Sequence, residues 1–226
     1  MCDSVSGLCD KLNVEYRKYH ISDSFEPSWD FQVDEGEYLY LVDYFGQLTH
    51  ECIMKASEIA AGRLIVDEAQ ALFRQPIKGF DTLYSPRKFL GIADGGYLYT
   101  DAPWLPGIKK DQSYDRMHFL LGRYEEDASS FYSEYQNNND RFIDEPLKRM
   151  SRLTKGLIRS IDLDAVKAKR NKNYRYLSMN LDATNKLVLR EPDGPFAYPY
   201  YVEDGSKIRQ KLILKKIYVP TLWPNV

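Results

Sequence analysis

Cysteine, histidine and unbalanced charge are all scarce in this sequence. Three cysteines in 226 residues form an odd count and no disulfide framework, which points to a reducing, cytoplasmic setting. The three histidines, His20, His50 and His118, stand far apart, and none has a Cys or His partner at ligand spacing, so no metal site is expected. Cys2 and Cys9, seven residues apart, read as packing residues on one helix face. Long apolar runs are missing, and none approaches the roughly 20 residues that span a bilayer. The opening MCDSVSGLCDKLN has neither the basic start nor the apolar stretch of a secretion signal. A charge excess is missing too, with 31 Lys and Arg against 33 Asp and Glu and a formal net charge of -2. Together with a mean hydropathy of -0.52, that balance argues against a dedicated nucleic-acid or anionic-membrane partner.

What is present is globular material. Hydrophobic residues at 43% and charged residues at 28% match a folded soluble chain, and the length corresponds to one or two domains at about 150 residues each. In the first half, strand-like and helix-like segments alternate. Val14–Ile21 mixes β-branched and aromatic residues with charge and reads as a strand. Tyr38–Phe45 (YLYLVDYF) is a nearly continuous apolar run, as in a strand of a parallel sheet covered on both faces. Cys52–Ala61 carries a helical apolar stripe at Ile53, Ala56, Ile59 and Ala60, and Gly62 is placed to end it. Arg63–Val66 is the next short strand, closing a βαβ-like unit, and Thr82–Ser85 and Tyr97–Thr100 supply two more. This order predicts an α/β layered domain over 1–105.

Ala102–Gly107 (APWLPG) marks a boundary. Ser113–Asp182 reads as helices, with a break at Asn137–Asn139 and with Pro146 in a first helical turn. Strands are expected at Leu187–Leu189, Ala197–Val202 and Ile217–Val219, with a helix over Ser206–Lys215. Residues 106–226 are thus expected to form a small C-terminal α+β domain. The basic run Lys167–Arg175 reads as a solvated helix face.

The stretch from Val66 to Gly96 holds the chemistry-bearing residues. VDEAQ directly follows a buried strand, which places Asp67 at the carboxyl edge where open α/β sheets bind ligands. YSPRKFLGIADGG follows, with Ser85, Lys88 and Gly95-Gly96. Taken singly, each residue has a commoner reading: Asp67 as a helix N-cap or turn carboxylate, Lys88 as a surface lysine, the glycine pair as a tight turn.

Taken together, these residues resemble the fold-type I enzymes that use pyridoxal 5′-phosphate (PLP), and among them the nucleotide-sugar aminotransferase family. The likeness rests on the glycine turn of Leu41–Gln47, the Asp-x-x-Gln pair Asp67 and Gln70, the Ser85 turn presenting Lys88, the Gly95-Gly96 turn, and the closing KKIYVPTLWP. It implies the PLP-dependent transferase (aspartate aminotransferase-like) fold, with part of the large α/β domain followed by the small domain. By the same resemblance Lys88 would form a Schiff base with the cofactor aldehyde and then shuttle the substrate proton. Asp67 would pair with the protonated pyridine nitrogen and keep the ring an electron sink. Gln70 would bond the ring's 3′ oxygen, and Ser85 would donate to the phosphate. Arg87 would either add charge there or point to solvent. Asp43 and Tyr44 hold a position where the family often carries a polar or aromatic residue facing the cofactor, although Tyr44 reads more simply as a strand-end residue of the sheet.

The implied activity is transfer of an amino group from an amino acid donor to a keto sugar nucleotide, in a cytoplasmic homodimer serving polysaccharide precursor synthesis. Two alternatives remain open: a dehydration on the same fold, and a non-catalytic remnant that keeps the fold. The upstream Ser/Gly-Thr turn that holds the phosphate in this family, and the aromatic ring stacked on the pyridine, have no counterpart ahead of Asp67. A miscalled or trimmed start, a degraded gene and a short product with another role are the competing expectations. Without that segment, Tyr38–Phe45 would be partly uncovered. Ser85 and Lys88 stand three apart, as in the aspartate aminotransferase branch, whereas many sugar aminotransferases space them further; the substrate class therefore stays open.

Overall fold

The computed structural model describes residues 3–103 and 105–222; Cys2, Trp104 and the end of the KKIYVPTLWP segment lie outside them. The elements run α1 (Asp3–Leu12), β1 (Leu39–Val42), α2 (His50–Ile59), β2 (Leu64–Asp67), β3 (Asp81–Tyr84), β4 (Tyr97–Tyr99), α3 (His118–Glu125), α4 (Tyr132–Asp144), α5 (Arg152–Ser160), α6 (Leu163–Leu181) and α7 (Gly205–Leu214). One four-stranded sheet has the order β1-β2-β3-β4. β1, β2 and β3 are parallel, and β4 returns antiparallel to β3. The protein is therefore mixed α/β with a mostly parallel sheet, as the alternating pattern of the first half requires.

The βαβ unit forms where the apolar runs place it. Thr49 caps α2 by accepting the Cys52 amide at 3.0 Å, and Gly62 leaves the helix at φ +80°. Alternation then sorts the strand side chains. Leu39, Leu41, Leu64 and Val66 turn to α2 and close over Ile53 and Ala56, while Tyr40, Val42, Ile65 and Asp67 take the opposite, half-buried face.

Several expectations are overturned. Val14–Ile21 forms no strand. Its only ladder contact is an isolated bridge between Ile21 and Pro27, and Tyr19 instead packs on the sheet core beside Trp29 and Phe31 with its hydroxyl donating to the Tyr40 carbonyl. Asn137–Asn139 does not break a helix but lies inside α4, because buried Asn138 donates to the Ala93 carbonyl at 3.0 Å. Pro146 falls in the connection after α4 rather than in a helical turn. The strands expected at 187–189, 197–202 and 217–219 are absent, and among the described residues 106–222 hold helices and connections only. Pro199 removes a ladder donor inside 197–202, and Pro192 and Pro220 closely follow the other two segments. The described residues 106–222 are thus helical rather than α+β.

Side chains from both sides of the expected boundary share one cluster. Phe89, Leu90 and Ile92 pack with Leu157, Ile158, Val166 and Phe196. Arg170 of α6 stacks on Phe89 at 4.7 Å and donates to the carbonyls of Phe89, Pro195 and Phe196, each at 3.1 Å.

Candidate functional site

The parallel pairing of β2 with β3 brings the four expected residues to one edge of the sheet. Asp67 ends β2 and lies in register with Val42 of β1 and Leu83 of β3. Its carboxylate accepts the Tyr40 hydroxyl at 2.9 Å and the Ala69 amide at 2.8 Å. Gln70, a turn later and buried, accepts the Phe45 amide at 2.9 Å, and Phe45 itself adopts φ +57°. Ser85 follows β3, and the alternation that puts Leu83 beside Asp67 continues to put Ser85 on that same face. The Ser85 carbonyl accepts the Lys88 amide at 3.1 Å across the short turn Pro86–Lys88. The Lys88 side chain is exposed, with its Nζ 5.9 Å from the Phe196 ring.

Arg87 turns the other way. Its guanidinium lies 4.4 Å over Phe142 and donates to Asn139, and burial lowers its pKa. Both partners belong to α4, so half-buried Arg87 is engaged on that helix rather than pointing freely into solvent. Gly95 takes φ +99°, with Met150 closing the space a side chain would need.

Two further constellations stand apart from the expected site, and the first corrects the expectation that Asp43 faces the cofactor, since its carboxylate is buried against Arg74 and the Leu48 amide. Asp43 and Glu68, each the first residue after its strand, are fully buried on the α2 side. Arg74 Nε lies 3.1 Å from Asp43 and 3.4 Å from Glu68, and Asp43 also accepts the Leu48 amide at 2.8 Å. Burial and the neighbouring Asp43 push Glu68 up to about 10, and burial also raises Asp43 against the pull of Arg74. The signal was available, because the alternation that buries Leu39 and Leu41, and Leu64 and Val66, reaches Asp43 and Glu68 two residues on. The second is Asp94. It accepts the Ser151 amide at 2.7 Å, the Ser151 hydroxyl at 2.8 Å and the Thr154 hydroxyl, tying the glycine turn to the start of α5. No sequence signal links residues nearly sixty apart.

A cleft of about 370 Å³ lies elsewhere, between Phe73, Tyr84, Leu90, Tyr97, Tyr99 and Ile158, and none of the four expected residues lines it. Among the described residues no three His, Cys, Asp or Glu side chains converge as metal ligands, and no helix is long and apolar enough to cross a membrane. Comparison of the chain with protein-family models, with curated proteins and with solved structures gives no match.

The donor set fits one end of the cofactor. Asp67, anchored by two donors, retains lone pairs for a ring N–H, and Gln70 stands one turn away. The lysine end is open: Lys88 is not enclosed by the elements around it, and no helix of useful length begins at Ser85.

Proposed function

We propose that this chain is a PLP-dependent aminotransferase-like protein that moves an amino group from an amino acid to a keto sugar nucleotide. The observation that carries the reading is the placement of Asp67 and Gln70 at the end of β2 and of Ser85 and Lys88 at the end of adjacent, parallel β3. When bound, the cofactor supplies an electron sink for the electrons left on the substrate carbon. Asp67 would hold the ring nitrogen protonated, kept in orientation by Tyr40 and the Ala69 amide. Gln70 would orient the ring oxygen, and Ser85 would donate to the phosphate. Lys88 would anchor the cofactor and carry the proton at the substrate carbon, which requires its neutral form and hence an enclosed site. In this reading a second copy of the chain would close the site over exposed Lys88.

A second reading, a non-catalytic chain that keeps the fold, is favoured by the exposure of Lys88. One experiment separates the two: purified protein and a Lys88→Ala variant are titrated with PLP and their visible absorption recorded. A band that borohydride removes and the variant lacks supports the enzyme, and bleaching by glutamate would then identify a donor. A folded protein that shows no band leaves the second reading.

A further inference from the structure

Charge is unevenly spread along this chain. Residues 148–226 hold seventeen Lys and Arg against seven Asp and Glu, whereas the preceding 147 residues hold fourteen against twenty-six. The near-neutral whole is the sum of an acidic part and a basic part, so it does not argue against an anionic partner for the latter. The imbalance is sharpest over residues 205–222, which contain Lys207, Arg209, Lys211, Lys215 and Lys216 and no acidic residue. α7 occupies the first ten of these positions and buries none of its side chains.

The segment is folded back on itself. Lys216 takes φ +59°, its amide donates to the Ile213 carbonyl at 2.8 Å, and the Ile217 amide donates to Leu212 at 2.9 Å. Arg209 then reaches the Val219 carbonyl at 3.3 Å, which holds Ile217–Val219 beside the helix. Leu214 is left 85% exposed, Ile217 49% and Tyr218 63%, immediately around Lys215 and Lys216. Lys207 has a local partner in Asp204, while among the described residues no ion pair is recorded for Lys211, Lys215 or Lys216.

We propose that residues 205–222 dock on an anionic phospholipid surface, with Lys211, Lys215 and Lys216 at the headgroups and Leu214, Ile217 and Tyr218 in the interfacial layer. Cations attract such a surface over about a Debye length, and apolar side chains add area that only a lipid interface takes up. Nucleic acid fits less well. Its backbone would accept the lysines, but its bases reward stacking and forked donors, and this segment holds one aromatic residue, Tyr218, and one arginine, already used on Val219. Apart from Gln210, the exposed uncharged residues between Lys207 and Lys216 are aliphatic. This surface is independent of the PLP site.

The test is sedimentation of the full chain with phosphatidylcholine vesicles, with and without phosphatidylserine, at about 0.1 M and about 0.5 M salt. Binding to the anionic vesicles at low salt and release at high salt are expected, with weak binding to the neutral ones. The variant K211E/K215E/K216E should bind the anionic vesicles about 100-fold more weakly or worse. L214S/I217S should weaken binding at both salts, and K18E/K78E/K109E, an equal charge change elsewhere, should leave it unaltered. Circular dichroism of each variant establishes that it is folded. The proposal fails if the wild-type chain prefers neither vesicle, or if K211E/K215E/K216E binds as the wild type does. It fails equally if those reversals leave vesicle binding intact and instead remove RNA binding or self-association.

Discussion

Glu68 and Asp94 show how much of this molecule turns on single buried carboxyls. Asp43 Oδ2, 3.1 Å from Arg74 Nε, and Glu68 Oε2 are both buried without a hydrogen bond. A proton kept on Glu68 would let the two carboxyls share it, with Arg74 balancing the remaining charge. An unfolded glutamate releases its proton near the ordinary 4.5, whereas folded Glu68 keeps it to about 10. Between those values unfolding releases a proton, so rising pH favours the unfolded chain and this contribution to stability is progressively lost. Glu68→Gln keeps a donor for Asp43 and removes the titration. Its urea midpoint should therefore fall less than that of the wild type between about pH 6 and pH 9, leaving it more stable at the upper end by on the order of 1–3 kcal/mol. Parallel pH slopes in the two proteins would rule out the shared proton. Asp94→Ala strands three donors at the start of α5 and should lower stability by about 2–4 kcal/mol in chemical denaturation; a loss below about 1 kcal/mol would mean that water replaces the carboxylate.

Among the elements, the turn between β1 and α2 is the most constrained. Gly46 takes φ +73°, and a Cβ there would come within 2.9 Å of the Pro192 ring, which cannot swing aside. The turn also aims the Phe45 amide at Gln70. Gly46→Ala should lose about 2–3 kcal/mol from backbone strain and overlap, read as a lowered urea midpoint. If Gln70 holds the cofactor, the variant should also bind PLP more weakly. The elements read correctly from sequence are those whose burial is local. β1, α2 and β2 carry their own apolar period and caps, and β3 and β4 are set off by glycine turns. The misread ones depend on distant partners. Asn137–Asn139 has the composition of a turn, yet Asn138 is satisfied only by Ala93, forty-five residues away. The tail segments have the apolar content of strands, but where two of them meet the Lys186 amide donates to the Tyr201 carbonyl at 2.9 Å while the Tyr201 amide is taken by the Asn185 side chain at 3.0 Å, so no ladder follows.

At the scale of the molecule, Arg170 joins the sheet-bearing part to the helical part. It gathers three carbonyls from the Phe89 turn and the Pro195–Phe196 segment under one guanidinium. Arg170→Lys should not restore what Arg170→Ala loses, about 2–3 kcal/mol in urea unfolding, because a single ammonium cannot span that fan of acceptors. Recovery by lysine would mean that charge alone matters. The same segment brings Phe196 alongside Lys88, so the loss of Arg170 should also change how readily Lys88 reacts with an amine-modifying reagent. Taken by itself, the sequence determined the βαβ unit and placed Asp67, Gln70, Ser85 and Lys88 at strand ends, because strand period, helix stripe and turn residues are properties of short windows. Only the tertiary structure decided that Asp43 and Glu68 share Arg74, that Asp94 anchors Ser151 at the start of α5, that Arg87 turns to α4 and that Lys88 is left exposed. Each of those outcomes depends on which distant group satisfies a buried donor, acceptor or charge, and no local pattern carries that information.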